Sequence, residues 1–144
     1  MTVIRKSEAE WKGDLLSGEG VIKLGSKAYE GPYSFKERSA AQSSVTNPEE
    51  LIGAAHAGCF SMQLSALLTK AGHPPQSIHS IAQVSLDSDD SGFFISKINL
   101  TTEAKVPGIS QEEFNKIAET AKNICPISKA LAATKIEFKA TLLS

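Results

Sequence analysis

The chain has 144 residues, 41% of them hydrophobic and 22% charged, the proportions of an ordinary soluble globular protein. That length suits one compact domain over residues 1–144 with a single core. Fifteen basic against sixteen acidic residues leave a net charge of −1, which offers no electrostatic footprint for nucleic acid or an anionic membrane.

The polar stretch Met1–Glu10 lacks the basic-then-apolar pattern of a secretory signal. Residues 1–45 read as β-rich, with strands expected near Glu8–Trp11, Gly20–Leu24 and Tyr33–Arg38. Gly13-Asp14, Ser17-Gly18, Gly25-Ser26 and Gly31-Pro32 supply the turns between them.

The clearest element is a helix over residues 46–72. Thr46 or Asn47 caps it, Pro48 fits its first position, and Glu49 and Glu50 suit the positive end of its dipole. Thr46 with Glu49 also matches a capping box. Ala71-Gly72 ends the helix before Pro74 and Pro75. Leu51–Leu68 carries no formal charge and approaches the length of a membrane span. His56, Ser61, Gln63, Ser65 and two glycines interrupt it, so it reads as a buried core helix rather than a membrane segment. Its apolar residues cover nearly every face, and one small domain cannot surround such a helix alone. The expectation is that a second subunit covers part of it.

Residues 76–106 read as a long hairpin, with Ile78–Leu86 as one strand and Phe93–Val106 as the other. Asp89-Asp90-Ser91-Gly92 forms the turn. A helix follows, capped by Ser110, with Phe114, Ile117, Ala118 and Ala121 on one face. A short helix starts at Pro126 and runs to about Ala133, and Ile136–Leu142 alternates as a closing strand. Short turns between most strands and bunched helices argue for an α+β fold with antiparallel sheets packed around the long helix.

Two cysteines are too few for a disulfide-scaffolded secreted domain, and neither lies in a CxxC motif. In the cytoplasm, the expected location, thiols stay reduced unless they do redox chemistry. Cys59 sits mid-helix, where a small buried hydrophobe is the ordinary role. Gly53 and Gly58 each cost a helix about 1 kcal/mol relative to alanine, which asks for close packing or room for a substrate or partner. Cys125 stands at the N-cap position before Pro126, where backbone N–H groups stabilise a thiolate. Local physics therefore makes Cys125 the better-activated thiol, and a nucleophilic Cys59 needs a cation brought to it. Arg38 is the candidate, with Glu49 able to orient it through a bidentate pair. Arg5 is the only other arginine. In a straight helix Glu49 lies about 15 Å along the axis from Cys59. Contact between them would need a bend near Gly53; otherwise Glu49 acts through Arg38 or across an interface. His56 and Cys59 share a helix face at i, i+3, a possible zinc spacing, but no further Cys or His cluster supports a metal. No GxSxG elbow marks a serine hydrolase.

The run NPEELIGAAHAGCFSM, from Asn47 to Met62, closely resembles the osmotically inducible protein C and organic hydroperoxide resistance family. The opening Trp11-Lys12-Gly13-Asp14, Val84-Ser85-Leu86-Asp87, Val106-Pro107-Gly108-Ile109 and Cys125-Pro126-Ile127-Ser128 support the match over nearly the whole chain. The resemblance implies an intertwined homodimer with active sites at the subunit interface. It implies a thiol peroxidase acting on organic hydroperoxides in oxidative or osmotic stress defence. By position, Cys59 matches the peroxidatic cysteine and Cys125 the resolving one, reversing the order that local physics suggests. Glu49 matches the family's active-site glutamate, and Arg38 its arginine. The implied cycle takes Cys59 to a sulfenic acid and then to a Cys59–Cys125 disulfide, which an external dithiol, of the lipoyl type by resemblance, reduces. No bound cofactor or metal is implied. A pocket beside Cys59 lined by Phe60 and Met62 would favour organic peroxides. The rival readings are a non-catalytic carrier of small apolar ligands at the same interface and a purely structural disulfide.

Overall fold

The computed structural model describes all residues, 1–144. By internal contacts it falls into two compact units, Met1–Leu51 and Ile52–Ser144.

The first unit holds a three-stranded antiparallel sheet, β1 (Ser7–Lys12), β2 (Glu19–Leu24) and β3 (Glu30–Tyr33), in the order β1-β2-β3. Trp11 and Tyr33 tilt against each other with ring centroids 5.5 Å apart, the kind of aromatic pair that stabilises a small sheet. The expected strand Tyr33–Arg38 stops at Tyr33. Ser34 instead caps a one-turn helix, α1 (Phe35–Arg38), its Oγ accepting from the Glu37 N–H at 3.2 Å. An extended Ser34 three residues before a glutamate is a helix-start signal that the alternating strand pattern overrode. Arg38 thus projects from the end of a helical turn rather than from a strand.

The long helix α2 runs Pro48–Lys70. Asn47 is the cap: its Oδ1 accepts from Glu50 N–H at 2.8 Å, and Pro48 occupies the first turn without wasting a donor. The capping box expected from Thr46 and Glu49 does not form, because the Glu49 carboxylate is turned to Arg38. By length and composition α2 is apolar enough to cross a membrane, and 28% of its most apolar window is buried.

In the second unit, β4 (Ser77–Asp89) and β5 (Gly92–Lys105) form the expected hairpin. Its turn is Asp90-Ser91, tied by Asp89 Oδ1, with Gly92 at φ +119° where a side chain would be strained. Helices α3 (Gln111–Ile124) and α4 (Pro126–Ala130) then lead to β6 (Lys135–Leu143). Here the structure corrects the all-antiparallel expectation: β6 pairs with β5 in parallel, giving a mixed sheet β4-β5-β6. The helices supply the crossover that a parallel neighbour requires. The overall class remains α+β.

The core of this unit lies where α2, α3 and the sheet meet. Phe60, Leu64 and Leu68 of α2, Leu100 and Ala104 of β5, and Phe114, Ala118 and Ala121 of α3 are fully buried together. Phe60 meets Phe138 of β6 edge-on at 5.2 Å. It therefore fills the core and does not line a pocket beside Cys59. Ser61, Ser80 and Thr102 link helix to sheet through hydroxyls 2.7 and 2.9 Å apart, satisfying polar groups that burial would otherwise penalise. The opposite side of α2 stays uncovered: Ala55, Gly58, Met62 and Ala66, at i, i+3 and i+4 spacings, are exposed, Met62 by 77%.

Candidate functional site

The sequence singled out four residues, and the structure gathers them in two pairs, one in each compact unit. In the first unit, Arg38 grips Glu49. Arg38 Nε lies 3.1 and 3.0 Å from Glu49 Oε1 and Oε2, and Nη2 reaches Oε1 at 2.5 Å. This is the bidentate fork that fixes both the position and the plane of a guanidinium. The Glu49 side chain is 9% exposed and that of Arg38 is 36% exposed, so the carboxylate is held inside while the cation keeps a face outward. The hydrogen bonds that Arg38 donates to Glu49 push its pKa up, so the charge is permanent.

In the second unit, α2 carries Cys59 to the start of α4. The Sγ atoms of Cys59 and Cys125 lie 2.9 Å apart, share a hydrogen bond, and both are free thiols. An S–S bond of about 2.05 Å would need them to close by only about 0.9 Å. Cys125 reaches this place because Pro126 stops α3: the residue before proline is driven out of the helical region, and Cys125 takes φ −55° and ψ 122°. It closes α3 through its N–H to Ala121 O at 2.9 Å and starts α4 as its N-cap.

The two thiols differ in environment as local physics predicted. Burial pushes the Cys59 thiol up, the hydrogen bond with Cys125 pushes it further, and the Ile127 backbone only partly opposes them. Burial acts in the same direction on Cys125. There it is outweighed by the hydrogen bond shared with Cys59, by the Ser128 backbone and hydroxyl, and by the Ile127 backbone, and the net shift is downward. Cys125 is fully buried, while Cys59 is half-buried and open to one side.

One buried polar residue beside these thiols was considered in the sequence only as a metal ligand. His56, one turn before Cys59, is fully buried, and its Nε2 lies 2.8 Å from Ser128 Oγ, while Nδ1 has no partner. The sequence signal for this contact was present in the motif around Cys125, which ends at Ser128. Burial lowers the His56 pKa below 6.5. Folding therefore favours the neutral ring. That preference contributes fully above about pH 6.5 and is lost as the pH falls from there through the lowered folded pKa.

Comparison with known proteins places these features. Residues 41–140 match the family described as OsmC-like protein. The chain is 48% identical to the peroxiredoxin OsmC of Escherichia coli (strain K12) over 134 residues, 92% of this chain and 93% of that one. It is 31% identical to the organic hydroperoxide resistance protein OhrA of Bacillus subtilis (strain 168) over 121 residues, 83% of this chain and 79% of that one. Among solved structures, an organic hydroperoxide resistance protein from Elizabethkingia anophelis aligns over 99% of this chain and 98% of that one, at TM-score 0.71 and 25% identity. An OsmC-like protein from Mycoplasma pneumoniae aligns over the full length of both chains at TM-score 0.74 and 16% identity, a likeness of fold.

Two measurements check the geometry. Arg38→Met is expected to lower stability by about 1–3 kcal/mol in urea unfolding, because it leaves a buried carboxylate unpaired. Arg38→Met combined with Glu49→Leu should recover most of that loss; additive losses in the double-mutant cycle would contradict the pairing. For His56, the melting temperature of the native chain should fall between pH 7 and pH 5 more steeply than that of His56→Gln. Parallel curves would show that the ring does not titrate as a buried neutral group.

The matched region, the curated relatives and the fold agree, and the chain belongs to the OsmC-like protein family.

Proposed function

We propose that this chain is a thiol-dependent peroxidase that reduces organic hydroperoxides to alcohols. The observation that carries the reading is the 2.9 Å approach of two free thiols 66 residues apart in sequence, one half-open and the other buried. The names of the relatives, a peroxiredoxin and organic hydroperoxide resistance proteins, support the same reading.

In this cycle the Cys59 thiolate attacks the distal oxygen of the hydroperoxide. The O–O bond breaks, the alkoxide leaves and takes a proton to become the alcohol, and Cys59 becomes a sulfenic acid. Arg38, steadied by Glu49, supplies the positive charge assigned to Cys59, whose own surroundings raise its pKa. Cys125 then attacks the Cys59 sulfur and a disulfide forms with release of water. A dithiol of the lipoyl class returns both residues to thiols by exchange. This chemistry belongs in the cytoplasm, where such reductants keep thiols reduced, and it serves defence against oxidative or osmotic stress.

The assembly that goes with it is a homodimer. A stripe of Ala55, Gly58, Met62 and Ala66 leaves an apolar helix face open on one chain. Small residues let two helix backbones approach closely, so a second copy of α2 is the occupant that suits it.

Turnover of an alkyl hydroperoxide with reduced dihydrolipoamide tests the activity. Cys59→Ser should lose at least about a thousandfold in rate, as removal of a nucleophile does. Cys125→Ser should stop after sulfenic acid forms. Full activity in Cys59→Ser would refute the assignment, and absence of turnover in the native chain would leave the ligand-carrier reading in its place. By sedimentation the native chain should have twice the 15.3 kDa mass of one subunit, and Met62→Lys should shift it toward monomer. A single-chain mass for the native protein would rule the dimer out.

A further inference from the structure

Two bridges join α2 to the segment that begins α4, and only one of them is made of sulfur. Cys59 on α2 meets Cys125 with the sulfurs 2.9 Å apart. His56, three residues before Cys59, meets Ser128, three residues past Cys125, with Nε2 2.8 Å from Oγ. The order is crossed: the later residue of one segment pairs with the earlier residue of the other. The segments therefore run antiparallel and the bridges lie side by side. Residues three apart are separated by about 4.5 Å along a helix, so fixing one bridge leaves the other little room to drift.

The α4 segment needs such a hold. It is five residues long, and its N-cap makes no side-chain hydrogen bond. A helix that short has no stability of its own, and its place is set by what it packs against. Pro126, Lys129 and Ala130 are exposed, Ile127 is part-buried against the core, and Ser128 is the one buried residue of the helix, at 6% exposure. A hydroxyl gains nothing from leaving water unless it is hydrogen-bonded, and Ser128 finds its side-chain partner in His56, itself fully buried. His56 Nδ1 has no partner, so the ring's one hydrogen bond is the one to Ser128.

We infer that His56 and Ser128 are positioning residues: their hydrogen bond docks α4 on α2 and so keeps the Cys125 sulfur within bonding reach of Cys59. The inference rests on the proposed reading in one respect, that the two sulfurs form a disulfide. The thiol–thiol bond exists only while both sulfurs are reduced, whereas the His56–Ser128 bond involves neither sulfur and persists through the cycle. In the closing step the Cys125 sulfur bonds to the Cys59 sulfur as the S–O bond of the sulfenic acid breaks and water leaves. With α4 docked, that step takes place in a geometry already set, and the advantage is read as the effective concentration of one thiol at the other.

The equilibrium between the reduced chain and its disulfide in a glutathione buffer measures that effective concentration without any peroxide. For each protein disulfide formed, one glutathione disulfide is cleaved and two glutathione thiols are released. Ser128→Ala and His56→Leu should each lower the effective concentration about tenfold. His56→Gln, whose side-chain amide N–H stands where Nε2 does, should stay near the native chain. A contact that only stabilises the fold weakens the reduced and oxidised chains alike and leaves this equilibrium unmoved. A Ser128→Ala chain that loses stability in urea but keeps the native effective concentration would therefore overturn the inference. So would a His56→Gln chain that falls as far as Ser128→Ala, or a native chain that forms no Cys59–Cys125 disulfide in the buffer. Absence of turnover with an alkyl hydroperoxide would sink the peroxidase reading alone, and the glutathione equilibrium would still decide the role of His56 and Ser128.

Discussion

The second unit depends on one contact, the pressing of α2 onto α3 and α4 that brings two sulfurs to 2.9 Å. It is set by residue size on both sides. Phe60 and Leu64 of α2 and Phe114, Ala118 and Ala121 of α3 are fully buried in one cluster, large side chains alongside small ones. Each large buried side chain contributes about 1.5–3 kcal/mol by leaving water, far more than one thiol–thiol hydrogen bond supplies. The packing therefore positions the thiols, and the thiols do not hold the packing.

The same seam divides the electrostatics of the pair. Pro126 ends one helix and begins another within a single residue, and the backbone and hydroxyl of the next turn help pull the Cys125 thiol down. Cys59, in mid-helix, has its own N–H committed to the turn before it and receives burial without comparable donors. The two sulfurs differ in exposure and in the direction of their shifts: Cys125 is buried with its thiol pulled down, and Cys59 is half-buried with its thiol pushed up. On the proposed peroxidase reading, the buried sulfur is shielded from reagents and already in contact with its partner, and the more open one calls for a positive charge to become reactive. In the Arg38–Glu49 fork, the buried carboxylate fixes the guanidinium while leaving one of its faces available.

Much of this was legible in the sequence because it depends on local rules. Asn47-Pro48 starts α2, Ser110 starts α3 and Asp89 to Gly92 turns the hairpin, each through hydrogen bonds spanning two or three residues. The misreadings share a different origin. Tyr33–Arg38 alternates like a strand, yet a single serine cap decides for a helical turn. The parallel pairing of β6 depends on which edge of β5 the crossover reaches, and no residue of β6 encodes that. The Arg38–Glu49 fork was readable from charge and scarcity, since only two arginines exist. The His56–Ser128 contact joins residues 72 apart, and periodicity cannot carry information over that distance.

Gly53 and Gly58 show how far identical residues can diverge in meaning. Both carry the same intrinsic cost in a helix, and sequence alone assigns them one common explanation. A Cβ on Gly53 would lie 3.1 Å from the Ala82 carbonyl oxygen and 3.6 Å from a Val84 methyl, so this glycine lets α2 settle onto β4. A Cβ on Gly58 would meet nothing within 4 Å. Packing inside the chain thus accounts for the first glycine and leaves the cost of the second without return. The flanking Ala55, Met62 and Ala66 are equally uncovered. The proposed homodimer would lay a second α2 along that face: small residues on both helices allow a close crossing, and Met62 is flexible enough to fill the gaps that a symmetric contact leaves.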